Sequence, residues 1–93
     1  RTMGAERTGL KKYQGASSVV YAARISEILP FVPFPGAKTL RFDDSPKKVN
    51  LIPEWLASNN PVIGGYFVVE DMQGNTICRF VDATAFSAEF APA

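Results

Sequence analysis

Histidine is absent from this 93-residue chain, and cysteine occurs once, as Cys78. Without an imidazole, the sequence excludes catalytic triads that use histidine as the general base and zinc sites with histidine ligands. A lone thiol excludes an internal disulfide and a thiolate metal cluster. We therefore expect no catalytic residues, no metal and no cofactor, and a fold that depends on packing alone.

Long apolar runs are also lacking. No segment approaches the roughly 18 uninterrupted apolar residues that a membrane-spanning helix requires. Residues 1–12 are polar and contain no apolar signal core. These features predict a soluble intracellular protein that does not enter a membrane.

Charge is nearly balanced overall, at +1, but it is unevenly distributed along the chain. Residues 1–48 carry nine basic and four acidic side chains, whereas residues 49–93 carry one basic and five acidic ones. An asymmetry of this kind can mark a nucleic-acid-binding tail. The bases are scattered rather than clustered, so mixing of charges within one sheet is the preferred interpretation and nucleic acid is a disfavoured partner.

Hydrophobic patterning favours strands over most of the chain. Segments rich in β-branched and aromatic residues, each bounded by turn residues, occur at 18–25, 37–42, 49–52, 66–70 and 76–81. In the first of them Tyr21, Ala23 and Ile25 alternate with Val20, Ala22 and Arg24. A helix over residues 21–29 is the rival interpretation, because Ala22, Ala23, Glu27 and Leu29 favour helices.

Two short helical turns are expected between these strands. The first covers residues 53–58, where Pro53 suits the first helical position and Glu54 the positive end of the helix dipole. Asp82 suits the N-cap of the second, which we expect to end at Phe86 before an extended piece over 87–91. Connections of two to six residues favour antiparallel pairing.

The predicted fold class is α+β: a mostly antiparallel, twisted sheet of four to six strands, open or curled into a half-barrel, with one or two short helical turns. A flexible N-terminal segment is expected over residues 1–10, followed by a single domain over residues 11–93.

The chain resembles a group of small phage and prophage proteins. The resemblance rests on the run from Asn60 to Val69, which reads Asn-Pro-Val-Ile-Gly-Gly-Tyr-Phe-Val-Val, and on the Phe86-Ser87-Ala88-Glu89-Phe90 ending. The segments 11–15 and 19–23 also resemble the opening strand of the related PGDYG phage proteins. Gly64-Gly65-Tyr66 stands where those proteins have Pro-Gly-Asp-Tyr, and residues 31–35 have no counterpart in the group. The resemblance implies a phage-encoded small protein and carries over no catalytic residue.

Possible chemistry is sparse, and each candidate has a simpler structural interpretation. Asp43-Asp44 reads as a polar turn, because hard cations need about six oxygen ligands and no such spacing is present. Gly64-Gly65 precedes a strand, which indicates a bend or bulge rather than a phosphate loop. Cys78 reads as a buried structural thiol.

A base-stacking sheet surface is a further candidate. Its residues would be aromatics and arginines that alternate along the strands: Tyr13, Tyr21, Phe67, Phe80, Arg24, Arg41 and Arg79. Aromatic side chains of the core with solvated arginines are the preferred interpretation.

An apolar loop is the strongest sign of a binding surface. Residues 29–36 contain three prolines and two phenylalanines, so they form a stiff segment with more apolar surface than an isolated loop should expose. We predict Phe31, Phe34 and Trp55 as partner contacts and Arg24 and Arg41 as anion-binding residues. For Trp55, a structural role as the plug of a small core remains the alternative.

The function predicted from these observations is non-catalytic. The chain would be a phage accessory protein that binds and sequesters or blocks a host factor or a small signalling ligand, in an anti-defence or regulatory role within the host cytoplasm. Its partner would be a host or phage protein, or a small anionic ligand. A homo-oligomer is expected. The alternative is a component of the virion, such as a capsid decoration or tail-associated protein.

Overall fold

The computed structural model describes residues 9–72 and 74–93, and within them it contains seven strands and two helices. The elements follow one another as β1 (Lys11–Gln14), β2 (Val19–Pro30), β3 (Lys38–Phe42), β4 (Lys48–Leu51), α1 (Pro53–Asn59), β5 (Tyr66–Met72), β6 (Asn75–Val81), α2 (Ala83–Glu89) and β7 (Ala91–Pro92). The predicted antiparallel α+β fold is confirmed. The sheet has seven strands rather than the expected four to six. Residues 11–14 form an additional strand, β1, which pairs with β2 on one side and with the two-residue β7 on the other.

The central strand is β2, which pairs with three other strands. Its first part pairs with β1 and β5, and its last part, from Ile25 to Pro30, pairs with β3. The β2–β3 pairing contains a register shift between Ile25 and Glu27. The remaining pairs are β3 with β4 and β5 with β6. The rival helix over 21–29 is therefore wrong: backbone groups of this segment bond to neighbouring strands, which overrides its local helix propensity.

Side chains of β2 alternate between two hydrophobic cores, one on each face of the sheet. Ala23 and Ile25 are buried in the first core, with Leu40, Phe42 and Phe67. The partly buried Trp55 of α1 packs against that core. The second core lies on the opposite face and contains Val20, Ala22, Val68, Val81, Phe86 and Phe90. One short helix thus covers each face of a single sheet.

Leu10, the last residue of the expected flexible segment, is 4% exposed and belongs to the first core. Residues 1–8 of the predicted flexible segment lie outside the described residues.

Helix α1 follows the sequence signals closely. Pro53 occupies the start of the helix and Glu54 its first turn, as predicted. The helix ends at Asn59, and Asn60 adopts a left-handed conformation with φ of 46° while its N–H donates to the Leu56 carbonyl. An asparagine tolerates this conformation better than most residues, so Asn60 terminates the helix.

Helix α2 is longer than expected. The carboxylate of Asp82 accepts a hydrogen bond from the Ala85 N–H at 2.8 Å, which confirms the predicted N-cap. The extended piece expected over 87–91 is wrong, since the helix continues to Glu89 and a strand covers only Ala91 and Pro92. The continuation places Phe90 one helical turn after Phe86, so both rings reach the same core.

Tyr13 provides a pH-dependent contact in the second core. Burial, with smaller contributions from Asp44 and Tyr66, raises the pKa of its phenol above the ordinary 10.0. The folded protein therefore holds the phenolic proton more tightly than the unfolded chain, and this contribution to stability is present below about pH 10 and lost at higher pH.

Replacing Tyr13 with phenylalanine should accordingly reduce the loss of stability above about pH 10. The measurement is urea unfolding across that range. Both proteins should carry Cys78→Ala, because burial also raises the pKa of that thiol. Equal slopes of stability against pH for the two proteins would contradict this account.

Candidate functional site

The apolar loop between β2 and β3 folds into two successive tight turns. The N–H of Phe34 donates to the carbonyl of Phe31, and the N–H of Ala37 donates to the carbonyl of Phe34, both at 3.0 Å. Gly36 adopts φ of +85°, which favours glycine, and a Cβ there would lie 3.1 Å from Pro53. The loop is thus held in one shape directly against the start of α1.

The two phenylalanines of this loop form a stacked pair, with ring centroids 5.6 Å apart and planes inclined at 29°. Phe34 is 63% exposed and its neighbour Val32 is 85% exposed. Ring stacking orders the pair, in which Phe31 is half-buried and Phe34 remains largely exposed. Hence the predicted binding loop presents apolar surface to solvent in a defined arrangement.

A cavity of about 570 Å³ opens between this loop, the end of β4 and the first turn of α1. We call it the loop cavity; its main lining residues are Phe31, Phe34, Leu51, Ile52, Pro53 and Glu54. Its volume falls within the range of small-molecule and side-chain pockets. The β3–β4 register pairs Lys38 with Leu51, which brings the loop before β3 beside the residues after β4.

The predicted contacts do not all lie at this cavity. Phe31 and Phe34 line it. Trp55 is half-buried, tilts against Phe67 with ring centroids 5.7 Å apart, and donates its indole N–H to the Cys78 carbonyl at 2.9 Å. The structure thus gives Trp55 the packing role that the sequence left as an alternative.

The two predicted anion-binding arginines each face a carboxylate of the protein itself. Arg24 donates from Nε to Asp43 at 2.9 Å, and Arg41 lies 3.5 Å from Glu27. The hydrogen bond from Arg24 to Asp43 raises the pKa of its guanidinium. An external anion would have to compete with these partners, so the structure does not bring the arginines together into an open anion site.

Asp43 and Asp44 have a structural role that the sequence did not reveal. Arg24 lies between the part of β2 that pairs with β1 and the part that pairs with β3. There its backbone N–H donates to the Asp44 carboxylate at 3.0 Å, and its carbonyl accepts from the Asp43 N–H at 3.2 Å. The turn therefore satisfies backbone groups at the point where β2 changes partner.

The remaining candidates follow their structural interpretations. Cys78 is half-buried, and burial raises the pKa of its thiol, which disfavours the nucleophilic thiolate. A Cβ on Gly65 would lie 2.3 Å from the Phe80 ring, so this glycine permits close packing of a ring on the backbone. In the described ranges 9–72 and 74–93, no group of three or more acidic or thiol side chains is arranged to hold a metal ion.

The aromatic side chains proposed for base stacking are divided between the two cores. Tyr21, Phe67 and Phe80 pack with the first core beneath α1, whereas Tyr13 packs with the second. Arg24 is paired with Tyr66 across β2 and β5, on the face of Tyr13. The rings and the arginines therefore do not form one exposed platform.

Three comparisons bear on identity. No protein-family model, no curated protein and no solved structure matches the chain.

For the part of the chain that the structure covers, no helix has the length and apolar character needed to cross a membrane.

Proposed function

We propose that this protein is a non-catalytic phage accessory protein that binds and blocks a host protein, with the loop cavity as its contact site. The observation that carries the proposal is the exposed Phe34 ring, stacked on the half-buried Phe31, where both line a preformed apolar cavity. Exposed apolar surface around a pocket is typical of interaction sites.

The apolar surface extends beyond the two rings. Ile52 lies at the end of β4 and is 60% exposed, and it lines the same cavity as Phe34. Interfaces gain most of their binding energy from a few apolar and aromatic anchors that fill pockets on the partner. The loop cavity combines both elements, a recess for an incoming side chain and a projecting ring.

A protein partner fits this surface better than a small anionic ligand. The residues that line the cavity include the acidic Glu54 and no basic residue. Arg24 and Arg41 already face Asp43 and Glu27. An anion at the cavity would meet an acidic residue. Sequestration of an anionic signalling molecule is therefore less favoured than binding of a host protein.

The phage origin and the anti-defence or regulatory role rest on the sequence resemblance. The run from Asn60 to Val69 contains the bend at Gly64, with φ of +96°, and the start of β5. These residues contribute to both cores, through Phe67 in the first and Val68 in the second, and do not line the loop cavity. Residues 31–35 of that cavity have no counterpart in the resembling group. The partner would therefore be specific to this chain.

Site-specific photo-crosslinking tests the proposal. A photoreactive phenylalanine analogue is placed at Phe34, or as a matched control at Ile77, a second exposed apolar residue that lies on β6. In lysate of the bacterial host, the probe at position 34 should capture one predominant host protein that purifies with the chain, and the probe at position 77 should not.

Competition completes the test. Excess unlabelled wild-type protein should abolish capture, whereas excess Phe34→Ala protein should not. Capture of the same products from both positions would contradict the proposal, as would capture of only a second copy of the chain, which would make the surface a homo-oligomer interface.

A further inference from the structure

One of the residues that line the loop cavity is acidic and has no ion-pair partner among the described residues. Glu54 occupies the first turn of α1 and lines the cavity with Phe31 and Phe34. Among residues 9–72 and 74–93, no basic side chain lies within ion-pair distance of it and no donor hydrogen-bonds to it. Within the described part of the chain, its charge is therefore unpaired.

Other acidic groups on the sheet are engaged in contacts with the protein. Asp43, Glu27 and Glu70 each pair with an arginine. Asp82 caps α2, and Asp71 accepts a hydrogen bond from Thr76. Glu54 and Glu89, one on each helix, have no such contact among the described residues, and of these two only Glu54 lines the loop cavity. The cavity therefore combines apolar walls with an acidic residue that is not paired there.

Such a combination suits a ligand that is apolar along its length and positively charged at its end. Lysine and arginine side chains have this character, since their stems pack on apolar surface while the head group keeps polar contacts. A guanidinium or ammonium group also gains from the faces of nearby aromatic rings. A neutral apolar group would leave Glu54 unpaired, and an acidic one would be repelled.

We infer that the loop cavity binds a cationic side chain, arginine or lysine, presented by an exposed segment of the partner protein. The inference rests on the proposed function and specifies its partner: the stem lies between the Phe31–Phe34 pair and Pro53, and the charged head pairs with Glu54.

Three small probes of similar size and different charge test this chemistry on the purified full chain. Benzamidine is a cation, benzyl alcohol is neutral and benzoate is an anion. Binding is followed by amide chemical shifts of isotope-labelled protein. Shifts should concentrate at residues 31–37 and 51–54, and benzamidine should bind about threefold to fivefold more tightly than benzyl alcohol, with benzoate the weakest.

Glu54→Gln should reduce the affinity for benzamidine to that for benzyl alcohol and leave the affinity for benzyl alcohol unchanged. Glu89→Gln is the matched control, because Glu89 is exposed, lies on the other helix and is also without an ion-pair partner among the described residues. It should leave the affinities for all three probes at their wild-type values.

The inference is overturned if benzoate binds as tightly as benzamidine, if Glu54→Gln has no effect on the ranking, or if the shifts lie outside the cavity. Its failure is separable from that of the proposed function. Crosslinking at position 34 with no preference for the cation would reject the inference alone, whereas a preference for the cation with no captured protein would reject the proposed function alone.

Discussion

Replacing Phe86 with alanine should lower the free energy of unfolding by about 3–5 kcal/mol, the usual cost of deleting a buried phenylalanine. Phe86 is the ring on which the second core is assembled. It stacks on Tyr66 with centroids 3.9 Å apart and meets Tyr13 edge-on at 4.8 Å and Phe90 at 5.0 Å. A domain of this size has a total stability of only about 5–14 kcal/mol, so the variant should be partly unfolded at physiological temperature.

Urea unfolding of wild type, Phe86→Leu and Phe86→Ala measures this effect. Leucine keeps part of the buried volume and should recover a good part of the loss. Ser87→Ala is the control, because Ser87 is the next residue of α2 and is exposed. A loss below about 1 kcal/mol for Phe86→Ala would show that α2 does not hold the second core.

Replacing Trp55 with alanine should cost about 2–4 kcal/mol, somewhat less than for a fully buried ring because Trp55 is only half-buried. Trp55 serves two purposes at once. Its ring packs on Phe67 in the first core, and its indole N–H donates to the carbonyl of Cys78. Nearby, the side-chain oxygen of Asn59 accepts from the Phe80 N–H at 3.1 Å.

These two bonds place α1 along β6, which pairs with β5 and with no other strand in the described residues. The helix therefore occupies backbone groups that an open strand edge would offer to another chain. Trp55→Phe should keep the packing and cost only about 1 kcal/mol for the lost hydrogen bond. Urea unfolding measures the stability of the two variants, and Ser58→Ala is the control because Ser58 is exposed on the same helix. Equal losses of stability for Trp55→Phe and Trp55→Ala would contradict the division between packing and hydrogen bonding.

Much of the sheet could be predicted because its strands have strong local patterns. The run 66–70 and the segment 76–81 are rich in β-branched and aromatic residues, and Gly74 between them adopts the positive φ that a tight hairpin requires. Pro53 and Asp82 marked the starts of both helices. These signals are local, so they survive without knowledge of the tertiary structure.

Where long-range contacts decide the structure, the local sequence is ambiguous or misleading. Residues 21–29 contain good helix formers, and only pairing of β2 with three other strands makes them extended. In α2, Phe86 and Phe90 have the four-residue spacing of one helix face. This spacing indicates a helix over the residues that the sequence analysis expects to be extended. The burial of Leu10 likewise depends on a core assembled from distant strands.

The candidate site could be predicted only in part. Phe31 and Phe34 were identifiable because a proline-rich loop with two aromatic rings has no local means of burying them. Ile52 and Glu54 could not be assigned to the candidate site from the sequence, because the β3–β4 register brings them beside the loop. The sequence identifies Arg24 and Arg41 as basic residues, but it does not reveal that each faces a carboxylate, Asp43 and Glu27 respectively.

The most direct test of the binding account is a comparison of affinity and stability in Phe34→Ala, using the host protein captured at position 34. Because Phe34 is exposed, its truncation should change the free energy of unfolding by less than about 1 kcal/mol, while removal of an anchor ring should weaken binding of the purified partner by at least about tenfold. Unchanged affinity, or a weakened affinity accompanied by an equally large loss of stability, would contradict the claim that this chain acts through the loop cavity.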